Sequence, residues 1–243
     1  MSRPKAWMAW SSGKDAAWAL HVARESGEFD ILRLLTTVSK EYGRVTMHAV
    51  REELVAAQAR SLGLPVHFLS IPSPCPQEMY DTAMRSALAR ASAEGVSRVI
   101  FGDLFLEDVR AYRVERTHEA GLQTVFPLWQ LDTRVLAREM IEGGLEAIVT
   151  SVDPKQAPRE IIGHAFDGRL LASLPPSVDP CGENGEFHTF AWNGPMFSEP
   201  VAVVRGEVVE RDGFLFTDLL PLPPPLSGAS GELRRRVRRR GVP

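Results

Sequence analysis

The sequence predicts an α/β protein, with a parallel sheet covered by helices on both faces and a smaller α+β region after it. Two observations favour this fold. Short, nearly all-apolar runs alternate with segments of helical periodicity over residues 1–152, and strands that are apolar on both faces are typical of a buried parallel sheet. The alternation stops after Asp153, where Pro and Gly become frequent. A chain of 243 residues is long enough to bury a core of this kind.

The elements of the parallel sheet follow from run length and periodicity. Aliphatic runs of strand length predict six strands, over 5–11, 31–38, 66–71, 98–103, 124–128 and 146–152. Apolar residues that recur three or four positions apart predict the helices between them, over 16–23, 54–62, 80–91, 107–120 and 133–142. Gly63 and Pro65 end the second of these helices, since both residues are typical of a helix C-terminus.

The remaining residues predict a different organisation. Short helices are expected over 158–166 and 168–174, followed by a Pro/Gly-rich connection over 175–197. Runs at 200–209 and 214–217, joined by 210–213, predict a β-hairpin. We therefore expect a main domain over 1–152, a smaller domain over 153–222 and a disordered Pro/Arg-rich tail over 223–243.

Composition excludes several classes of protein. The net charge is −3 although six Arg crowd the last ten residues, so the rest of the chain is acidic and a poor general binder of nucleic acid. Cys75 and Cys181 form neither a CxxC motif nor a disulfide framework, which fits a reducing compartment. The N-terminus does not resemble a signal peptide, and no apolar run is long enough to span a membrane. We expect a cytoplasmic protein.

The first candidate binding segment lies between the first strand and the first helix, and comprises Ser11, Ser12, Gly13, Lys14 and Asp15. Backbone N–H groups at a helix N-terminus, two hydroxyls and one ammonium suit a phosphate group. Asp15 does not suit phosphate, but it could hold Mg²⁺ that is itself bound to phosphate oxygens. The segment lacks the Gly spacing of a Walker A loop. Ordinary helix capping by Ser and Asp is the alternative interpretation.

The second segment follows the fourth strand. Gly102 and Asp103 would place a carboxylate at the crevice where strands of a parallel sheet end. Arg110 and Arg113 are three residues apart on the next helix, so they share a face and could clamp a carboxylate or a phosphate. The alternative is a solvated helix face on which Arg and Glu side chains pair.

The third segment is the loop over 181–189, in which two Gly and two Glu fall within five residues. This loop could bring Glu183, Glu186 and His188 together. Carboxylates there could bind ammonium, an amine or Mg²⁺, and His188 could act as a base near neutral pH. A polar connection without a function is the alternative.

Together, the three segments resemble the diphthine–ammonia ligase-related family, a branch of the PP-loop ATP pyrophosphatases. The resemblance runs from about Trp7 to about Leu220 and rests on the order of WSSGKDAAWAL, FGDLFLEDVRAYRVE and VDPCGENGEFHTF. It implies a Rossmann-like, adenine nucleotide α hydrolase-like domain that binds ATP and Mg²⁺. It also implies an enzyme that splits ATP between the α- and β-phosphates, adenylates a carboxylate and joins it to ammonia.

The resemblance assigns roles position by position. Ser11, Ser12, Gly13, Lys14 and Asp15 would bind the pyrophosphate end of ATP, with Lys14, Asp15 and Asp103 as catalytic residues. The residues implied near adenosine are Thr36, Val38, Met47 and His48. Those implied to line the crevice are Gly102, Asp103, Arg113 and Glu115, and those implied to face the acceptor are Glu183, Glu186 and Thr189. Arg110 and His188 are added as substrate-binding residues on the residue patterns described above.

One departure from the family bears on the acceptor. The diphthamide enzymes resemble EGGEYET in the third segment, whereas this chain has GENGEFHT, so His188 replaces a carboxylate. A His attracts a trimethylammonium group less well than a carboxylate does, and we therefore expect a small-molecule carboxylate as the acceptor. Two alternatives stay open: a PP-loop tRNA-modifying enzyme, and a nucleotide-binding regulator, which Ala16 in place of the usual Ser/Thr would favour. A homodimer is also open.

Overall fold

Two separate sheets organise the protein, for which a computed structural model describes residues 2–222. The predicted tail over 223–243 lies outside these residues. The strands are β1 (Lys5–Ala9), β2 (Asp30–Ser39), β3 (Arg44–Val45), β4 (Val66–Ile71), β5 (Arg98–Ile100), β6 (Gln123–Val125), β7 (Glu146–Val152), β8 (Phe187–Asn193), β9 (Val203–Arg211) and β10 (Phe214–Pro221). The helices are α1 (Lys14–Glu25), α2 (Glu52–Leu62), α3 (Gln77–Ala93), α4 (Glu107–Glu119), α5 (Thr133–Glu142) and α6 (Gly168–Ser173).

The first sheet confirms the predicted parallel architecture. Its parallel strands lie in the order β4-β2-β1-β5-β6, and β3 adds a short antiparallel pairing at the end of β2. The chain winds outward in one direction from β1 through β2 to β4, and in the other from β5 to β6. This reversal makes a switch point between β1 and β5, which is where parallel sheets of this kind bind ligands.

Helices cover both faces of the parallel sheet, as predicted. Met8 and Leu34 point to one face, where they join a core that includes residues of α1 and α2. Trp7 and Val99 point to the other face and pack with Leu88 of α3. Adjacent strand residues thus enter different cores, because successive side chains of a strand point to opposite faces.

Local sequence signals explain where helix α5 begins and where helix α2 ends. Asp132 caps α5, since its carboxylate accepts hydrogen bonds from the backbone N–H groups of Arg134 and Val135. Gly63 ends α2 in a left-handed conformation with φ of 67°. The backbone N–H of Leu64 then donates to the carbonyl of Ala59 over 3.0 Å, which closes the helix.

The strand over 146–152 was predicted as the sixth strand of the parallel sheet, and this assignment is wrong. This strand, β7, lies in a second, antiparallel sheet with the order β8-β7-β10-β9. An apolar run is typical of any central buried strand, so periodicity does not tell which sheet the strand joins. The change of sheet therefore comes before residue 146, and the division of the chain at residue 152 stays a prediction.

The predictions for the remaining elements after residue 153 are partly confirmed and partly wrong. The predicted hairpin is confirmed as β9 and β10, which turn at Asp212 (φ 52°) and Gly213 (φ 83°). Strand β8 lies in the Pro/Gly-rich connection, for which no strand was predicted. Of the two short helices, 168–174 forms α6, whereas 158–166 contains only a 3-10 turn at Arg159–Ile161.

One apolar core joins the two sheets. It includes Met8 and Leu34 of the first sheet together with Val149 and Phe190 of the second. Both cysteines are free, as expected. Within residues 2–222, none of the helices combines the length and the apolar character that crossing a membrane requires.

Candidate functional site

A cavity of about 360 Å³ opens where β1 and β5 end, at the switch point of the parallel sheet. Its volume is within the usual range for small-molecule sites. The segment after β1, the segment after β5 and the loop over 181–189 all contribute to its wall. The predicted site residues in this wall are Ser11, Lys14, Asp15, Met47, His48, Gly102, Asp103, Arg113, Glu183, His188 and Thr189.

The segment after β1 is held in a fixed conformation by β8 and α2. Ser12 has a left-handed backbone with φ of 72°, which costs a non-glycine residue on the order of 1 kcal/mol. Its carbonyl accepts hydrogen bonds from the backbone N–H of Ala191 (2.9 Å) and from the side-chain amide of Gln58 (3.0 Å). Gly13 follows in an extended conformation at the start of α1. A Cβ atom on Gly13 would lie 2.9 Å from Cε1 of His48, so glycine allows this close approach.

Lys14 connects the segment after β1 to the loop over 181–189. Its side chain is buried, at 1% exposure, and its ammonium donates to the Asp15 carboxylate over 2.9 Å and to the carbonyl of Cys181. Its backbone N–H donates to Oγ1 of Thr189 over 3.1 Å. Burial acts to lower the pKa of Lys14, but the acidic groups around the ammonium, with Asp15 the strongest among them, together outweigh burial and the pKa is raised. The ammonium therefore keeps its charge at neutral pH.

The segment after β5 lies directly against the start of α1. A Cβ atom on Gly102 would be 2.9 Å from the backbone carbon of Asp15 and 3.0 Å from the backbone nitrogen of Ala16. Only glycine fits this contact without displacing the helix. Asp103 pairs with Nε of Arg113 at 3.0 Å and 2.9 Å through its two oxygens. Burial raises the pKa of Asp103 although Arg113 acts in the opposite direction.

The loop over 181–189 places one carboxylate in the cavity and one behind it. Glu183 lines the cavity, and its Oε1 accepts a hydrogen bond from the backbone N–H of Leu104 over 2.8 Å. Burial raises the pKa of Glu183 to about 7, with smaller contributions from Asp15 and Asp103. Glu186 is buried and accepts from the backbone N–H of Asp179 (2.9 Å), so it stabilises the loop itself.

Two histidines form one wall of the cavity. The rings of His48 and His188 lie 4.6 Å apart, and Nδ1 of His48 is 3.1 Å from the carbonyl oxygen of Thr189. Burial lowers the pKa of His48 to about 4 and that of His188 well below 6.5. Both rings are therefore neutral at physiological pH, and Nε2 of His188 is buried without a hydrogen-bond partner.

Comparison with known proteins assigns the chain to a family. The family model of the diphthamide synthase N-terminal domain matches residues 4–124, and that of the C-terminal domain matches residues 132–217. The chain belongs to the diphthine–ammonia ligase-related family. The two models together extend from β1 to β10 and contain every predicted site residue.

Curated relatives support the same family. A diphthine–ammonia ligase of Rattus norvegicus is 34% identical over 110 residues, which are 43% of this chain and 41% of that protein. The human diphthine–ammonia ligase is 31% identical over the same shares of both chains. A diphthine–ammonia ligase of Schizosaccharomyces pombe is 32% identical over 95 residues, 37% of this chain and 16% of that protein. The matched part thus spans less than half the length of these relatives.

Solved structures show a weaker likeness. A U34-tRNA thiolase from Methanococcus maripaludis has 15% identity and a TM-score of 0.37, over 58% of each chain. A predicted subunit of a tRNA methyltransferase from Methanocaldococcus jannaschii has the same identity and TM-score, over 59% of this chain and 77% of that chain.

Several predicted site residues lie away from the cavity. Thr36 and Val38 are buried on the sheet face that points away from it, and Thr36 instead donates to the carbonyl of Trp10 over 2.9 Å. Arg110 stacks on Trp129, with its guanidinium carbon 4.9 Å from the ring centroid, and Glu115 is exposed beside Arg116. Ser12, Gly13 and Glu186 lie behind the wall, where they support it.

Other residues line the cavity without having been predicted. They include Thr37, Tyr80, Tyr112 and Arg116. Arg116 follows Arg113 by three positions, so the helical period could have identified it in place of Arg110. Thr37 alternates with Thr36 and Val38, and the two-residue period of β2 puts it on the opposite face. The two tyrosines come from different helices, and their meeting depends on tertiary packing.

The wall of the cavity fits a nucleotide with a bound cation. Asp15 contributes a buried oxygen, Oδ1, that has no hydrogen-bond partner, as expected of a carboxylate that completes its contacts with a ligand. Nowhere in residues 2–222 do three His, Cys, Asp or Glu side chains converge in a metal cage. Mg²⁺ is commonly held by one or two carboxylates together with phosphate oxygens, so Asp15 suffices for this type of site.

Proposed function

We propose that this chain is an ATP-dependent amide ligase that adenylates a carboxylate and then joins it to ammonia. One observation carries the proposal. Lys14 lies at the proposed phosphate-binding segment after β1 and contacts the backbone of Cys181, the first residue of the proposed acceptor loop over 181–189. A single buried cation thus lies between the two halves of the site, where charge would develop on a leaving pyrophosphate.

The proposed reaction has two steps. A carboxylate oxygen of the acceptor attacks the α-phosphorus of ATP, the bond to the β-phosphate oxygen breaks, and pyrophosphate leaves. Ammonia then attacks the acyl carbon, the bond to AMP breaks, and one proton of the attacking nitrogen is lost. Mg²⁺, held by Asp15 and the phosphates, would neutralise charge on the pyrophosphate.

The side chains in the cavity suit both steps. The ammonium of Lys14 and the N–H groups at the start of α1 favour negative charge in the first step. Glu183 suits the second step, because a carboxylate with a pKa of about 7 can accept the proton lost from nitrogen near neutral pH. The catalytic residues of the proposal are Lys14, Asp15 and Asp103, together with Glu183 as the proton acceptor of the second step.

The acceptor of the proposal is a small-molecule carboxylate. His188 stands in the acceptor loop where the diphthamide enzymes have a carboxylate, and burial keeps its ring neutral. A neutral imidazole beside a second imidazole, that of His48, provides no charge for a trimethylammonium group. This supports an acceptor other than the diphthine that the names of its relatives specify.

The test is AMP formation from α-labelled ATP with Mg²⁺, ammonium and a small-molecule extract. Lys14→Ala and Asp103→Asn should abolish AMP formation, whereas Lys155→Ala, at an exposed position, should not. Thermal unfolding of each variant shows whether it folds. AMP that appears only with active protein and extract supports the ligase. ADP, or AMP that does not depend on Lys14 and Asp103, would contradict it.

The same assay separates the two alternatives. If the chain were a tRNA-modifying enzyme, AMP would form when tRNA replaces the extract. The affinity of the protein for tRNA would then fall steeply with salt concentration. ATP binding by calorimetry, with no AMP under any acceptor, would indicate a nucleotide-binding regulator.

A further inference from the structure

A second and larger cavity, of about 790 Å³, lies beside the first one. It opens between the segment over 42–49 and the β9–β10 hairpin. Its large apolar side chains come from both of these elements: Tyr42, Met47, Phe214, Phe216 and Leu220. No site residue of the family resemblance except Met47 lines it.

Several large apolar side chains of this cavity are exposed to solvent. Tyr42 is 62% exposed, Met47 is 61% exposed and Leu220 is 37% exposed; the first two belong to the segment over 42–49 and the third to β10. Scattered exposed apolar residues are ordinary, but a convergent group is typical of a binding surface. Strand alternation puts Phe214 and Phe216 on the same face of β10 as the opening.

The two cavities share one wall, formed by Val45, Thr46 and Met47. Met47 has a left-handed backbone with φ of 64°, and Ala49 has φ of 56°. Arg44 holds this wall, because its guanidinium donates to the carbonyl of Ala49 over 2.7 Å and pairs with Asp218 of β10 at 2.9 Å. A ligand that passes the side chain of Met47 would occupy both cavities.

The charges around the second cavity favour an uncharged ligand. Arg44 is neutralised by Asp218, and the other charged residues of the lining are Arg211, Glu207 and Asp212. Acidic and basic side chains therefore offset each other, and the cavity lacks the excess of positive charge that a phosphate or a polyanion requires.

We propose that the second cavity binds the apolar, uncharged part of the acceptor whose carboxylate is activated in the first cavity. The acceptor is thus an amphipathic carboxylic acid with a bulky apolar group. This inference rests on the proposed function for the carboxylate end. The binding of an apolar group in the second cavity can be tested on its own.

The first test fills the cavity. A Cβ atom on Gly206 would make ordinary contacts, 3.4 Å from Cβ of Asp218, so Gly206→Phe can add a ring to the lining. Val208→Phe is the matched control on the same strand, because Val208 is exposed and does not line the cavity. The probe is N-phenyl-1-naphthylamine, a neutral apolar dye that fluoresces when it is bound.

Wild-type protein, Val208→Phe and Lys14→Ala should bind the dye alike, whereas Gly206→Phe should weaken binding at least tenfold. Leu220→Glu, at a partly exposed position of the same wall, should also weaken it and serves if Gly206→Phe does not fold. Equal binding by all folded variants would overturn the inference. Dye binding by Lys14→Ala, which should not form AMP, shows that the dye result does not depend on catalysis.

The second test uses substrate preference. With ATP, Mg²⁺ and ammonium, phenyl-substituted acids of increasing chain length should support more AMP formation than acetate or butyrate. Gly206→Phe should raise the KM for the longer acids at least tenfold and leave the KM for ATP unchanged. A preference that is the same in Gly206→Phe and wild type would overturn the inference. Absence of AMP in every reaction would contradict the proposed function. The dye experiment would still show whether the second cavity binds an apolar group.

Discussion

At the scale of single residues, the candidate site depends on close contacts that leave no space for other side chains. Gly13 faces His48 and Gly102 faces the backbone of Asp15, both at distances that a Cβ atom would not tolerate. Lys14 is buried beside these contacts, and Asp15 and the carbonyl of Cys181 hold its ammonium in place. Such fixed charges cost no reorganisation during a reaction, which is what electrostatic catalysis requires.

We expect Gly102→Ala to displace the start of α1 and weaken ATP binding. Its new methyl group would meet backbone atoms at 2.9–3.0 Å, and overpacking of this kind costs about 2 kcal/mol of stability. Calorimetric titration with ATP should show at least a tenfold higher Kd, and urea unfolding should show the loss of stability. Gly168→Ala is the control, because a Cβ atom there meets nothing within 4 Å. Unchanged ATP affinity in Gly102→Ala would contradict the prediction.

Glu183 predicts a pH dependence of stability with a definite sign. Burial raises its pKa from 4.5 to about 7, so the folded protein holds this proton more tightly than the unfolded chain does. The resulting stabilisation is present below pH 4.5 and is lost as the pH rises to about 7. Glu183→Gln cannot ionise and keeps an oxygen for the N–H of Leu104.

Urea unfolding of wild type and Glu183→Gln at pH 5 and pH 8 measures this effect. The variant should gain about 2 kcal/mol relative to wild type between the two pH values, after allowance for solvent screening. A difference between the two proteins that stays constant with pH would show that Glu183 keeps an ordinary pKa.

At the scale of elements, α2 holds the segment after β1 against β8. Gln58 of α2 is fully buried, and its amide donates to the carbonyls of Ser12 (3.0 Å) and Ala191 (2.6 Å). Its oxygen accepts from the indole N–H of Trp10 over 2.9 Å. One side chain thus satisfies polar groups of the segment after β1 and of β8, and its position fixes that segment relative to the loop over 181–189.

The sequence predicted the bounds of an element well where its apolar periodicity agreed with the residues that typically end helices and strands. Strand β4 and helix α5 have the predicted bounds, because Gly and Pro or an Asp cap mark their ends. The prediction failed for β8, whose Gly-rich approach suggested a loop. Gln58 gave no signal at all, since a polar residue in a helix predicts solvent exposure unless the partners across the fold are known.

We expect Gln58→Leu to cost about 3 kcal/mol of stability, because it leaves the indole N–H of Trp10 and the carbonyl of Ala191 without this partner. ATP affinity should fall as well, since the segment at Ser12 loses a support. Urea unfolding and calorimetric titration measure the two effects. Gln123→Leu, on an exposed residue of β6, is the control and should change neither. A fully stable Gln58→Leu would show that the three contacts contribute little.

At the scale of the whole molecule, the site exists because two sheets of different type share one core. Alternation predicted the parallel sheet, and the rule that ligands bind at strand ends placed the segments after β1 and β5 at its crevice. The sequence did not predict that β7 leaves that sheet and becomes a central strand of the other one. Pairing between strands that are distant in sequence depends on tertiary packing, which local patterns do not contain. The same limit applies to the second cavity, whose walls come from β3 and from a hairpin about 160 residues later.

An ion-pair cluster on this shared surface links the two sheets and predicts acid sensitivity. Asp218 of β10 accepts from Arg51 at 3.1 Å and 2.7 Å, and pairs with Arg44 at 2.9 Å. The hydrogen bonds from Arg51 are the main reason that the pKa of Asp218 is lowered to about 2. A lowered pKa means that the stabilisation is present above pH 3.8 and is lost as the pH falls toward 2.

Wild type should therefore lose about 1 kcal/mol more than Asp218→Asn when urea unfolding is compared at pH 4.5 and pH 2, after allowance for solvent screening. At pH 7 the variant should already be less stable, because Arg44 and Arg51 lose their shared charge. Asp212→Asn is the matched control, since Asn tolerates the left-handed turn position of Asp212 and no ion pair is removed. If wild type and Asp218→Asn lose stability equally on acidification, the cluster does not hold the sheets together. The wall between the two cavities would then depend on packing and on the hydrogen bond from Arg44 to Ala49, and not on the charge of Asp218.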